Sequence, residues 1–332
     1  MIDLYFDYNY GKLNEKIEDG ICEVFQYKSS LGTIRSMFIK RKIPMKVNKK
    51  DYYDIVTPYG YGGPLIVECV KGKKNELVME FSQALQKYCE RNRIVSEFVR
   101  FHPIMENASD FASCYNVSYI RNTVGTNLAM YKEPVQSEFS KSCRRNIRKA
   151  LAAGVSFRII QNPNDVCNFK KIYYSTMDRN KAAEFYYFND EYFSQCLELL
   201  GEHVVLIEAV YQEQTIAMGL YFIYGKTIHI HLSGTLSEFL YLSPAYILRY
   251  AITIWGKENG YKLIHHGGGR SNVPDDSLYL FKKQFGRNTE FKFFIGKKVW
   301  NIEVYEQLCR SYGVDKSIEY FPAYRVRRLA DV

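Results

Sequence analysis

No hydrophobic run in this sequence is long enough to cross a bilayer. The longest stretch without a charged residue, Ile55 to Val67, is broken by prolines and glycines, whereas a membrane-spanning helix takes about 20 apolar residues. The eight cysteines (22, 69, 89, 114, 143, 167, 196 and 309) contain no CxxC pair. A chain of this size folds without disulfides, and zinc sites draw their ligands in close pairs. Reduced, buried thiols and no metal are therefore expected. The opening MIDLYFDYNY puts aspartates and tyrosines where a secretory signal needs a basic start and an apolar centre, so a cytoplasmic location is expected. Repeats, low-complexity tracts and Gly/Ser linkers are also missing. With 47% hydrophobic and 24% charged residues, the chain has ample apolar surface for a folded core.

What is abundant is basic charge and tyrosine. The 45 Lys and Arg residues against 36 Asp and Glu give a net charge of +9, which favours anionic partners such as phosphorylated substrates, nucleic acid or an acidic membrane surface. Aromatic residues make up 16%, with 29 tyrosines. Tyrosine suits clefts for sugars, peptides or bases, although strands packing a core use most of them.

At 332 residues the chain is long enough for two domains. Strands are predicted at 36–44, 64–70, 94–101 and 116–130, with a helix over 74–91 whose Leu77, Phe81, Leu85 and Tyr88 share a face. A basic helix, 137–153, closes at Gly154. After it come a strand (156–160), helices (163–178 and 189–200) and three strands (203–211, 215–224 and 227–233). A helix from Pro244 to Asn259, a strand at 261–266, a helix at 277–285 and strands near 290–301 complete the series. The second half matches the element order of the GNAT N-acetyltransferase fold. The expected class is α/β with two GNAT-like domains in tandem: 1–135, a connecting helix over 136–154, and 155–332.

Four segments, TPYGYGGP (57–64), EFVRFHP (97–103), KSCRRNIRKALAAGV (141–155) and HHGGGR with DDSLYLFKKQFG (265–286), resemble in this order the FemABX-like peptidyltransferases and related acetyltransferases. The resemblance spans about residues 55–300. It implies acyl transfer onto an amine, with aminoacyl-tRNA as donor and a peptidoglycan precursor as acceptor in the best-known members. Lys282 matches the family lysine that stabilises negative charge on the acyl carbonyl, a role that suits a fixed cation beside a tetrahedral oxyanion. The neighbouring Lys283 points about 100° away around the helix.

His266 is the second catalytic candidate. His265 and His266 are adjacent in a strand, so at most one faces a cleft. Gly268 and Arg270 lie in a loop that fits neither a Rossmann fingerprint nor a Walker A motif; it forms either a wall of the site or a tight turn. Asp275 and Asp276 precede the 277 helix and suit its cap. His231 shares a strand face with His229 and lines a cleft or the sheet. Tyr59 and Tyr61 suit stacking on a sugar or base, in a region that borders the acceptor cleft in the family. Arg100 and His102 end a strand, where arginine grips phosphate or forms a salt bridge. Arg179 and Tyr187 resemble a family stretch lining the acceptor site. Lys141, Arg144, Arg145, Arg148 and Lys149 make the 137–153 helix a phosphate-binding face, for instance for tRNA, or a solvated one.

CoA-dependent enzymes of this fold hold pyrophosphate on a glycine-rich loop before the long helix. The equivalent LYLSPAYIL (240–248) has no glycine, and Pro244 lacks an amide donor. Aminoacyl-tRNA is the favoured donor and acyl-CoA the alternative, with no tightly bound cofactor and no DNA. The expected acceptor is an anionic nucleotide- or lipid-linked sugar peptide. The chain otherwise reads as a CoA-dependent acetyltransferase of an amino sugar or small amine, or as a non-catalytic basic nucleotide-binding protein.

Overall fold

The computed structural model describes residues 3–273, 275–315 and 317–326. Helix α1 (Tyr8–Leu13) precedes strands β1 (Ile21–Ser29), β2 (Gly32–Lys42), β3 (Tyr53–Val56) and β4 (Leu65–Cys69). Helix α2 (Lys74–Arg91), β5 (Ile94–Arg100), the one-turn α3 (Asn107–Asp110) and β6 (Asn116–Asn127) follow. Next come α4 (Pro134–Glu138), α5 (Lys141–Ala152), β7 (Ser156–Gln161), α6 (Cys167–Arg179) and α7 (Asp190–Leu200). Strands β8 (Val204–Tyr211), β9 (Gln214–Tyr224) and β10 (Thr227–Thr235) lead to α8 (Pro244–Glu258), β11 (Leu263–Gly267), α9 (Ser277–Lys283), β12 (Glu290–Val299) and α10 (Ile302–Tyr312).

The chain divides into two compact units. One holds Tyr5–Ile120 and the stretch from Lys292 onward; the other holds Arg121–Phe291 and the first residues up to Leu4. These boundaries fall inside β6 and β12, away from 135 and 155, because both strands are long enough to serve a unit with each half.

In the first unit β2 pairs antiparallel with β1, β3 and β4; β3 runs parallel to β5, and β12 closes antiparallel on β5. Leu77, Val78, Phe81, Leu85 and Cys89 of α2 bury against Ile34, Phe38, Ile55 and Val99 of the sheet. Val304, Tyr305 and Leu308 of α10 pack with Ile43 and Val95. Arg41 and Arg325 both bind the buried Asp54 carboxylate.

In the second unit the order is β6, β11, β10, β9, β8, β7, antiparallel except for β10 with β11. One face carries α8 and α5, whose Cys143, Ile147 and Ala150 bury with Ile247, Leu248 and Ala251. The 141–152 helix is therefore part of this core rather than a connector. It begins at Lys141, after an extended Phe139, because Ser140 caps it by accepting from the Cys143 amide. The opposite face carries α6, and Gly234 permits the approach: a Cβ there would meet Ile172 O at 2.5 Å.

Cys22, Cys89, Cys114, Cys143, Cys196 and Cys309 are buried free thiols, while Cys69 and Cys167 are exposed. No helix among the described residues is long and apolar enough to cross a membrane.

Candidate functional site

The second unit gathers its chemistry where β10 and β11 part. Their register covers only Thr227–His229 with Leu263–His265, and β10 then bulges between Ile230 and Leu232. Strand β11 is irregular between His265 and Gly267 in its pairing with β6, and the two rings go to different partners, His265 to Thr123 and Phe291, His266 to Thr126 and Phe285.

On the α8 face, Thr126 Oγ1 donates its one hydrogen to Phe285 O (2.7 Å), so the 2.7 Å contact with His266 must use a donor on His266 Nε2. That fixes the tautomer and leaves Nδ1 a bare acceptor, buried and without a partner among the described residues. Burial pushes the His266 pKa well below its usual value, and the charges of Arg249 and Lys282 push it further.

Lys282 lies half-buried on α9 and donates to Gly268 O at 2.7 Å. Burial, followed by the Arg249 charge, lowers its pKa to about 7, against an upward pull from Asp276. Lys283 is turned elsewhere, to Glu290 and Arg287 O. Asp276 binds the loop and the helix together: it accepts from the amides of Tyr279 (2.7 Å), Arg270 and Ser271 (2.9 Å each), which holds it down at about 2. The Arg270 side chain is exposed, while Arg121 donates to Gly269 O.

Arg249, which sequence reasoning passed over, is 5% exposed and donates to the Tyr221 hydroxyl at 3.2 Å. Its Nε–H has no acceptor, and it forms no ion pair among the described residues. The signal was present: Arg249 is the only charge between Pro244 and Gly256.

On the other sheet face His229 meets Asp3 at 3.0 Å and His265 meets the Thr123 hydroxyl at 2.9 Å. His231 bonds to the Tyr192 hydroxyl at 2.7 Å under Phe222 and Phe188, and burial lowers it to about 3. It is neutral at physiological pH. Arg179 is spent on Thr235 and Ser237, clamping the end of α6 to the end of β10, and Tyr187 donates to Asp178.

In the first unit Tyr61 and His102 pack with Tyr5 in an aromatic cluster, and Tyr59 O accepts from Tyr10. The buried His102 ring accepts from the Met105 amide. Arg100 is held by Glu18 at 3.1 Å and by Thr57 O, a salt bridge within this unit. No group of three or more metal-ligating residues occurs among the described residues.

Residues 137–292 match the family model described as an acetyltransferase (GNAT) domain. This stretch is similar to GNAT acetyltransferase domains. Solved structures share the fold over most of the chain. FemX is 12% identical, covers 92% of this chain and 94% of its own, and gives a TM-score of 0.69. The C-terminal domain of a provisionally named lysylphosphatidylglycerol synthetase from Agrobacterium fabrum is 12% identical, covering 94% and 93%, with a TM-score of 0.55. L-PGS from Bacillus licheniformis is 14% identical, covering 86% and 91%, with a TM-score of 0.52. A search of curated proteins finds no match.

Ahead of α8 in the GNAT domain, backbone amides are already in use. Phe239 N and Ser243 N donate to Leu236 O and Leu240 O around the 3-10 turn Ser237–Leu242, and within the first turn of α8 Tyr246 N donates to Ser243 O. On α5, Lys141, Arg145, Arg148 and Lys149 are exposed and form no ion pair among the described residues.

Proposed function

We propose that this chain forms an amide on an amino group of a cell-wall or surface-glycan precursor, taking its acyl group from aminoacyl-tRNA. The observation that carries the reading is Lys282, a half-buried amine in the last turn of α9 that reaches back to Gly268 O after β11 and has no other hydrogen bond among the described residues. Addition of an amine to the acyl carbonyl creates an oxyanion, and a pre-positioned lysine N–H stabilises it more than it stabilises the starting carbonyl.

The donor preference rests on the turn before α8. Amides already paired there, together with Pro244, leave a poor cradle for the pyrophosphate of CoA. The unpaired cations of α5 suit an RNA backbone, and FemX and the lysylphosphatidylglycerol synthetases are the neighbours in fold. An anionic nucleotide- or lipid-linked sugar peptide is the acceptor class, met in the cytoplasm or at the membrane surface. The acetyltransferase family match favours a second reading, acetyl transfer from CoA to an amino sugar or small amine.

Calorimetric titration with CoA and acetyl-CoA separates the two. The tRNA reading expects no saturable heat with either, and amide formation when charged tRNA and a peptidoglycan precursor are supplied. Micromolar binding of acetyl-CoA would replace it with the CoA reading.

A further inference from the structure

Arg249 is an expensive residue for the fold to keep. A guanidinium stays charged at any physiological pH, and an unpaired buried charge is strongly destabilising. Here the charge has a neutral tyrosine hydroxyl for company and, among the described residues, no acceptor for its Nε–H, while the charge of a second cation, Lys282, opposes it. In the field of the same two cations His266 presents a buried lone pair with no donor among the described residues. Buried polar groups are nearly always satisfied, so orphans of both signs in one place mark a ligand that is absent. That ligand has an anionic oxygen for the two cations and a hydrogen for the imidazole.

We propose that Arg249 and Lys282 form one anion seat, made for the oxygen that becomes negative during acyl transfer, with His266 Nδ1 accepting a hydrogen from the attacking nitrogen. This deepens the acyl-transfer reading and rests on it. The amine lone pair forms the C–N bond while the carbonyl π pair moves onto oxygen, where Arg249 and Lys282 hold it. Collapse returns that pair to the carbonyl and breaks the bond from carbon to the leaving oxygen. The leaving oxygen keeps the bonding pair and takes the proton lost by nitrogen. An anion bound there would relieve the repulsion between Lys282 and Arg249 and raise the Lys282 pKa.

The test needs neither donor nor acceptor. Reductive methylation with 13C-formaldehyde gives each lysine an NMR resonance, and Lys282→Arg assigns that of Lys282. The probes are inorganic phosphate and methylphosphonate, tetrahedral anions. In the wild type both should shift the Lys282 resonance saturably and raise its titration midpoint from near neutrality. Arg249→Met should weaken phosphate binding by about tenfold or more, the scale of one charge-assisted hydrogen bond. Arg249→Lys, which keeps the charge but loses the Nε donor, should lie between and guards against a folding defect in the Met variant. Probes that leave Lys282 unmoved in the wild type, or bind the Arg249 variants as tightly as the wild type, overturn the seat. A seat that binds phosphate in a protein inactive with charged tRNA and with acetyl-CoA overturns the acyl-transfer reading instead.

Discussion

In the first unit Arg100 lies 3.1 Å from Glu18, Arg41 lies 2.7 Å from Asp54, and Arg325 reaches the same Asp54. In the second unit Arg249 is as deeply buried as any of these and meets no acid among the described residues. The first arrangement is a clasp: two carboxylates tie β2, β3 and the segment after α10 into one network. The second does nothing for stability as it stands, because removing a charge from water is repaid only by a partner. A buried arginine with an acid holds the fold together, and one without an acid waits for something that brings the negative charge.

Breaking the clasp should produce the largest effect. Asp54→Asn removes the carboxylate that Arg41 and Arg325 share, leaving Arg41 the longer contact with Glu18 at 3.8 Å, and should cost about 3–5 kcal/mol in urea unfolding, as for other broken buried pairs. A loss below about 1 kcal/mol would mean that the clasp is no stronger than a surface pair and would erase the contrast. Next comes Lys282→Ala, which should cut turnover by about 10²-fold or more, comparable to losing an oxyanion donor, without lowering the melting temperature. Full activity in this variant would point to a binding protein without catalysis.

Asp276→Ala tests whether the loop between β11 and α9 is held by its cap, and should cost about 1–2 kcal/mol. The sign with pH is fixed. The Asp276 pKa is lowered from 3.8 to about 2, so its contribution is complete above pH 4 and fades as pH falls through 2. The wild-type and variant stability curves should converge only at that acid end. The smallest effect belongs to the α5 surface. Arg145→Ala with Arg148→Ala should leave stability within about 0.5 kcal/mol and reduce the log–log salt slope of tRNA binding by about 0.7–0.9 per cation. An unchanged slope would mark α5 as a solvated face.

The second unit was readable in the sequence because its elements announce themselves. Strands β8 to β10 are three apolar runs separated by turns, and Pro244 and Gly260 bracket α8. The first unit was harder. Strand β1, ICEVFQYKS, alternates little and buries only Cys22 fully, as an edge strand paired on one side to β2 can. Strand β3 is four residues long, too short for any periodicity. Helix α10 has a clear apolar face in Val304, Tyr305 and Leu308, but it follows β12 with almost no connecting loop, and the expected series stopped at strands near 290–301 without it. Within the site, Lys282 and His266 were found through motif and strand position. Arg249 was hidden because a charge inside PAYILRYAITIW looks like an ordinary exposed helix residue until neighbours cover every side. The partners of Arg179 and His231 come from segments distant in sequence, which no local pattern reports.

The boundaries inside β6 and β12 also set an order of assembly during translation. Once Phe291 has left the ribosome, every strand of the second sheet is available, and Asp3, synthesised first, can already reach His229. The first unit, although most of it is made earlier, lacks strand β12, the α10 cluster and the Arg325 side of the Asp54 clasp until the later segment emerges. The usual N-terminus-first sequence is thus reversed, with the later-made unit completing before the earlier one. A nascent chain arrested with residues up to about 295 outside the ribosome should therefore present a protease with a folded 121–291 core and an open 5–120 region.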